Sequence, residues 1–291
     1  MSKIGKVPIV LHRPLHGTVK TLTIKRSSSG KWYAIFTCEV EGKDVINDGP
    51  EVGIDQGLKS FIHCSDDLTV EPPNYLRKAE KRLVKEQRKL ARKKKGSKNR
   101  RKQKRKVARV QEKVADQRAD WHHKLSRQIA SDYSIIAVED LDVQGMVHNH
   151  RLAKSIYDAG WSSFVNMVEY KVSETGALLV KVDPRNTTQT CSQCGNVLEG
   201  EDKLALSDRI YECQVCGLEM DRDLNAARNI LARAGLARSH ACGDDVIPSL
   251  EKVVVAEAGT TRSAPAEMDY HDQCRGRMSQ SILSSSPHEV A

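Results

Sequence analysis

No run of apolar residues in this 291-residue chain is long enough to span a bilayer. The N-terminus, MSKIGKVPIVLHRP, lacks the apolar core and small-residue cleavage site of a secretion signal. A membrane helix and a secreted, disulfide-stapled domain are thereby set aside, and the expected compartment is the cytoplasm, with thiols reduced. There is no internal repeat. Neither common glycine-rich nucleotide loop occurs, so nothing points to dinucleotide or P-loop chemistry. The length suits one large domain or two modest ones.

The charge is not spread evenly. Net charge is +9, but Arg77 to Arg109 holds nineteen Lys+Arg against two acids, Glu80 and Glu86. The remainder carries 28 basic residues against 36 acidic ones, so one segment makes an otherwise acidic protein basic. Apolar positions Leu76, Ala79, Leu83, Leu90, Val107, Val110 and Val114 recur at helical spacing through this region. Tyr75 to about Leu125 is therefore expected to be helical, broken or turned at Gly96-Ser97. A solvated helix face is the plain alternative. So dense a field of one sign suits a phosphate-bearing polymer better. The candidate nucleic-acid contacts are Arg77, Lys78, Lys81, Arg88, Arg92, Lys93, Lys94, Lys95, Lys98, Arg100, Arg101, Lys102, Lys104 and Arg105.

Of eight cysteines, four form two CxxC pairs, Cys191/Cys194 and Cys213/Cys216. Two such turns can set four thiolates at the corners of a tetrahedron, the geometry of a structural Zn²⁺. Gly195 and Gly217 each follow a pair, where a knuckle turn needs unusual backbone angles. Two disulfides or four unrelated core thiols are the alternative, which a reduced compartment disfavours. A site closed by four sulfurs holds structure and does not activate water. Cys38, Cys64, Cys242 and Cys274 are scattered and read as buried or incidental.

Along the chain, residues 18–25 and 31–40 alternate as two strands joined by a turn, with Trp32 and Phe36 expected in a core. Residues 41–50 read as a linker. Val52 to Lys59 and Ser60 to Asp66 read as a hairpin with Asp55 ending its first strand. There Asp55 is either a turn-stabilising side chain or a metal ligand. Ile135 to Val138 is an uninterrupted β-branched run suited to a central strand, with Glu139 at its exit. Gly145 to Leu152 reads as a polar loop, Ala159 to Thr175 as a helix ending at Gly176, and Ala177 to Asp183 as another strand. Asp223 opens a helix with Leu224, Ala227, Ile230 and Leu231 on one face and Gly235 past its end. An Asp there can cap the helix or point into a cluster. From Ser239 onward, polar and small residues suggest a disordered tail.

Asp55, Glu139 and Asp223 are far apart in sequence, each on a rigid element. They suit a phosphodiesterase in which two Mg²⁺ about 4 Å apart straddle the scissile phosphate. Carboxylates serve because Mg²⁺ prefers oxygen. With the basic stripe and a strand-rich α/β core, they make a coherent set.

The segments GIDQGLK, AVEDLDVQGM, RLAKSIYDAGW, QTCSQCG and CGLEMDRDLNAARNI, in this order, resemble the TnpB (OrfB) proteins of insertion sequences. The resemblance spans about residues 18–233. It implies an RNase H-like (RuvC) mixed sheet flanked by helices, with an inserted zinc ribbon and a partial β-barrel wedge at the N-terminus. The implied division is 1–50 wedge, 51–190 RuvC-like core including the basic hairpin 75–125, 191–218 zinc ribbon, 219–235 last RuvC segment and 236–291 tail. It further implies that Asp55, Glu139 and Asp223 are the nuclease carboxylates, holding two Mg²⁺ or Mn²⁺, and that Cys191, Cys194, Cys213 and Cys216 hold one zinc. The implied activity is RNA-guided DNA cleavage by a transposon-encoded endonuclease, with DNA and a guide RNA from the element as partners and no membrane. A non-cleaving zinc-containing DNA- or RNA-binding protein is the alternative. Two departures stand out. The family's N-terminal lobe has no counterpart here, and Gln56 replaces the apolar residue that usually follows the first Asp, a change expected to affect packing.

Overall fold

Among the described residues the first and last elements are strands, and helices and strands are interspersed between them. In order the elements are β1 (Thr18–Arg26), β2 (Trp32–Glu39), β3 (Glu51–Gln56), β4 (Ile62–Cys64), β5 (Thr69–Val70), α1 (Tyr75–Ala91) and α2 (Lys98–Asp132). Then follow β6 (Ile135–Glu139), α3 (Val143–Met146), α4 (His150–Ala159), α5 (Trp161–Thr175) and β7 (Leu178–Val182). The last are β8 (Ile210–Glu212), β9 (Glu219–Asp221), α6 (Arg222–Ala241) and β10 (Arg275–Arg277). This computed structural model describes residues 7–11, 14–40, 45–205, 207–241 and 275–277. The chain divides into two units, one of Met1–Lys43, Leu76–Gln117 and Glu267–Ala291, the other of Asp44–Tyr75 and Arg118–Ala266.

In the first unit β1 and β2 form an antiparallel hairpin, and β10 pairs with the far side of β2. Gly30, at φ +95°, supplies the left-handed residue that the turn requires. Trp32 departs from expectation. It is 46% exposed, with the Arg26 guanidinium 5.3 Å from its ring, because it stands at the hairpin's turn end and not over a core. Glu112 of α2 gathers three hairpin groups: it accepts from Ser29 Oγ and Tyr33 OH, each at 3.0 Å, and pairs with Lys31 Nζ at 2.8 Å. The helical break falls at residues 92–97, where Gly96 takes φ +80°. Gln103 bonds back to Glu86 Oε2 at 2.6 Å, tying α2 to α1.

The second unit is built on a five-stranded mixed sheet in the order β5-β4-β3-β6-β7. β3, β6 and β7 run parallel, while β4 and β5 are antiparallel additions at one edge. All five residues of β6 are buried, as its continuous apolar run predicts for a strand covered on both faces. One face, carrying Val52, Ile54, Ile136 and Val138, packs with Leu125 and Ile129 of α2 and Phe164 and Val168 of α5. Phe61 lies at its centre, edge-on to Trp121 at 4.6 Å and to Phe164 at 5.1 Å. The other face carries Ala137 and Val182 and packs with Ile230 and Ala234 of α6. Strand alternation sends Gly53 and Asp55, Ala137 and Glu139 to this α6 face. Helix α6 lies so close that a Cβ on Gly53 would sit 2.1 Å from the Ala227 carbonyl oxygen. Only glycine permits that approach.

Three local readings are corrected. Much of the expected loop 145–152 is helical: Asp142 caps α3 by accepting from Gly145 N, and Asn149 caps α4 by accepting from Arg151 N. Gly160, at φ +66°, then breaks the chain between α4 and α5. Gly235 does not stop α6, which runs on through Leu236 and Ala237 to Ala241, good helix formers that outweigh one glycine. The expected tail 236–291 thus begins in helix and includes β10, while 242–274 and 278–291 lie outside the described residues. Among the described residues, no helix is long and apolar enough to cross a membrane.

Candidate active site and metal centre

Asp55, next to last in β3, and Glu139, last in β6, lie on adjacent parallel strands. Ile54 pairs with Val138, so the two carboxylates emerge side by side at the end of the sheet. Helix α6 begins over the same face and brings Asp223 in its first turn. Asp55 is buried, and burial first, then the charges of Glu139 and Asp223, push its carboxyl up to about 8. Arg222 lowers it and Asp221 raises it further. Glu139 is raised too, chiefly by burial, against the hydrogen bond from Thr187 and the charge of Arg233. Glu139 and Asp223, the other two acids singled out by sequence, are thus charged neighbours of Asp55.

The two roles weighed for an acid at this helix start fall to different residues. Asp221 does the capping: its Oδ1 accepts from Asp223 N at 2.8 Å and Leu224 N at 3.2 Å. Asp223 is thereby left to face the cluster, with Arg222 Nε and Nη2 on its Oδ1 at 3.2 and 3.1 Å.

The cysteine ribbon is made of two matching knuckles. Cys191 N donates to Asn196 O and Gly195 N to Cys191 O. Likewise Cys213 N donates to Leu218 O and Gly217 N to Cys213 O. Gly195 and Gly217 take φ +77° and +73°. The sulfurs of Cys191 and Cys216, and of Cys194 and Cys213, are 3.6 Å apart, and all four lie within 4.8 Å of one another. Tetrahedral zinc with bonds of about 2.3 Å needs sulfurs roughly 3.8 Å apart, so the set fits a closed site of four thiolates. The Cys216 amide pulls the Cys213 thiol down to about 6, while Cys216, against the pull of the Leu218 amide, is pushed up to about 12 by burial and the neighbouring thiols. Tyr211, Leu198 and Leu204 fill the ribbon's small core beside β8 and β9.

Sequence reading missed what fastens the ribbon to the cluster. Asn225, fully buried, accepts from Ser192 N at 2.9 Å and donates to Thr190 O at 2.7 Å. One turn on, Asn229 donates to Thr187 O at 2.9 Å and Thr190 O at 2.6 Å. Ala226 and Ala227, between them, are fully buried where bulk would hold α6 off the sheet. Thr187 in turn donates to Glu139 Oε1 at 2.6 Å. The only sequence signal was two asparagines at i and i+4 in a helix that otherwise favours alanine and leucine.

Twelve of the fourteen candidate cations on α1, α2 and their junction are exposed, while Lys93 and Arg100 are half-buried. Arg100 is a correction. Its Nη1 donates to Leu90 O at 2.8 Å and Lys93 O at 2.9 Å, so it closes the C-terminal end of α1 and is not a free surface cation. Cys64 is buried, its thiol pushed up to about 12, and Cys38 is half-buried, while Cys242 and Cys274 lie outside the described residues.

A mixed α/β sheet ending in a carboxylate cluster, with a four-cysteine ribbon pinned to the helix that completes it, defines the class. Residues 36–150 match the OrfB family model described as "Probable transposase", and residues 161–230 match the one described as "Cas12f1-like, TNB domain". A protein of Streptomyces pristinaespiralis named as a putative RNA-guided DNA endonuclease is 41% identical over 79% of this chain and 56% of its own length. Another so named, InsQ of Escherichia coli (strain K12), is 35% identical over 84% of this chain and 64% of its own. The chain therefore spans little more than half to just under two thirds of these relatives. A solved chain from a CRISPR-Cas12f ternary complex shares the fold, with TM-score 0.50 and 23% identity over 72% of this chain and 44% of that one. By these matches the chain is similar, over most of its length, to the TnpB/OrfB proteins of insertion sequences.

Proposed function

We propose that this chain is the nuclease-bearing part of a transposon-encoded, RNA-guided DNA endonuclease with an RNase H-like (RuvC) core. Asp55, Glu139 and Asp223 would hold two divalent cations, Mg²⁺ or Mn²⁺, and Cys191, Cys194, Cys213 and Cys216 one structural zinc. The observation that carries the reading is the pressure on Asp55. Burial and two neighbouring carboxylates lift it to about 8, and a divalent cation relieves that pressure as a proton does. When bound, two such cations supply an activated water and neutralise charge on the leaving 3′ oxygen. The chain's own residues orient them. Thr187 fixes Glu139, Arg222 steadies Asp223, and the ribbon sets the start of α6. The exposed cations of α1 and α2 would run along nucleic-acid backbone, while guide pairing would read sequence. The relatives named as RNA-guided DNA endonucleases support DNA and guide RNA as partners.

The test is cleavage of end-labelled single-stranded DNA by the purified chain in Mg²⁺ or Mn²⁺, with sequencing of any RNA that co-purifies. Loss of cleavage in Asp55→Ala and Glu139→Ala is expected. Undiminished cleavage by either variant overturns the reading. Salt-sensitive binding with no cleavage in any divalent metal identifies instead a non-cleaving nucleic-acid-binding protein.

A further inference from the structure

His63 sits on β4 directly opposite Asp55, in antiparallel register, so both side chains leave the sheet on the α6 face. It is buried, at 7% exposure. Its Nε2 lies 3.3 Å from Asp67 Oδ1, and its Nδ1 lies 3.9 Å from Asp221 Oδ1. Donor atoms of His63, Asp221 and Asp223 all lie within 4.8 Å of one another. Two ligands on opposite sides of one ion, at bonds of about 2.1 Å, stand about 4.2 Å apart, so a single cation can bridge His63 Nδ1 and the Asp221 carboxylate, whose Oδ1 also caps α6.

The carboxylate of Asp67 contacts the other ring nitrogen of His63. A metal-binding imidazole is held in orientation and tautomer by a carboxylate on its other ring nitrogen. Asp67 takes that place at Nε2, and Nδ1 is the ring nitrogen on the Asp221 side. Asp67 itself is exposed and adopts φ +71°, a backbone region that non-glycine residues rarely enter. The turn thus presents this carboxylate to the ring.

We propose that His63 is a nitrogen ligand for a divalent cation shared with Asp221 and Asp223, oriented by Asp67. The inference rests on the carboxylate-cluster reading above and deepens it. A purely carboxylate site favours Mg²⁺, whereas an imidazole ligand shifts preference toward borderline cations from manganese to nickel. The chain would therefore prefer borderline divalent ions more than three acids alone would.

The experiment uses the whole chain with Mn²⁺ as probe, read by isothermal titration and by electron spin-echo modulation from ¹⁴N. The wild type is expected to show nitrogen modulation, and His63→Gln to lose it while still binding Mn²⁺ through the carboxylates. Mn²⁺ affinity should fall about tenfold in His63→Gln, with Mg²⁺ affinity changed less than about twofold. Asp67→Asn, on an exposed side chain, should keep the modulation with weaker Mn²⁺ binding, which separates a ligand-orienting effect from misfolding. Bound Mn²⁺ without nitrogen modulation in the wild type overturns the assignment of His63 and leaves the carboxylate reading standing. Modulation that persists in His63→Gln also overturns it. Absence of any Mn²⁺ binding overturns both.

Discussion

The hydroxyl of Thr187 donates to Oε1 of Glu139 at 2.6 Å, and both groups are buried. The strand-end acid is thus oriented by the segment that leads into the cysteine ribbon. Removing that donor leaves a buried carboxylate short of a charge-assisted bond. Thr187→Val should cost about 2 kcal/mol in urea unfolding, and DNA cleavage should drop with it. Thr187→Ser, which keeps the hydroxyl, should restore most of both. Undiminished stability and cleavage in Thr187→Val, with losses only in Thr187→Ser, would mean that the methyl group matters and the bond to Glu139 does not.

Asp55 gives the pH dependence. Its folded-state value is about 8, above its ordinary 3.8, so between these limits the folded chain holds a proton that the unfolded chain has lost. Stability from this group is therefore complete below about pH 4 and declines as pH rises toward 8, at up to about 1.4 kcal/mol per pH unit. Thermal unfolding without divalent metal should show the decline. Asp55→Asn should flatten it, and millimolar Mg²⁺ should raise the midpoint more at pH 8 than at pH 5. A midpoint insensitive to Mg²⁺ at pH 8 would separate the carboxylates from metal binding.

Legibility in the sequence followed the range of the forces involved. The β6 run, the two CxxC pairs and the acids near the ends of β3 and β6 were readable because strand periodicity and knuckle spacing are local. Asn225, Asn229 and His63 were not, since each acts across a tertiary contact that no spacing rule announces. Helix α4 was hidden by its polar start, though Asn149 is an ordinary N-cap. Trp32 was placed in a core on hydrophobicity alone, and the hairpin that carries it leaves its ring half in solvent.

Gln56 follows Asp55 but points to the opposite face, toward the packing around Val52 and Ile54. It is 7% exposed, and its Nε2 has no hydrogen-bond partner among the described residues. An unsatisfied amide in an apolar layer costs about 1–3 kcal/mol. Gln56→Leu should therefore stabilise the fold by about 1 kcal/mol or more, without changing Mn²⁺ affinity. A destabilised Gln56→Leu would show that the amide fills space that leucine cannot.

Cys213 tests the ribbon as scaffold. One zinc per chain is expected by atomic emission, and Cys213→Ser should lose it. The consequence reaches the acids through Asn225 and Asn229, whose partners lie at Thr187, Thr190 and Ser192. Hydrogen exchange in residues 187–192 and the first turn of α6 should accelerate, while β1 and β2 stay protected. Protein purified without zinc, with slow exchange in those segments, would defeat the assignment.

The basic helices call for a choice of residues, because not every cation there is free. Arg100 holds the end of α1 through the carbonyls of Leu90 and Lys93, so replacing it confounds binding with folding. Arg101, Lys102 and Lys104 are exposed, and each can meet a phosphate. Changing these three to Gln removes three counterion-releasing contacts if all of them touch backbone. Affinity for single-stranded DNA or RNA should then fall for every sequence tested, and the log–log salt slope should flatten by about 2. Helicity should be unchanged by circular dichroism. Arg100→Gln, in contrast, should lower the melting temperature. An unaltered salt slope in the triple variant would assign the polyanion contact to another surface.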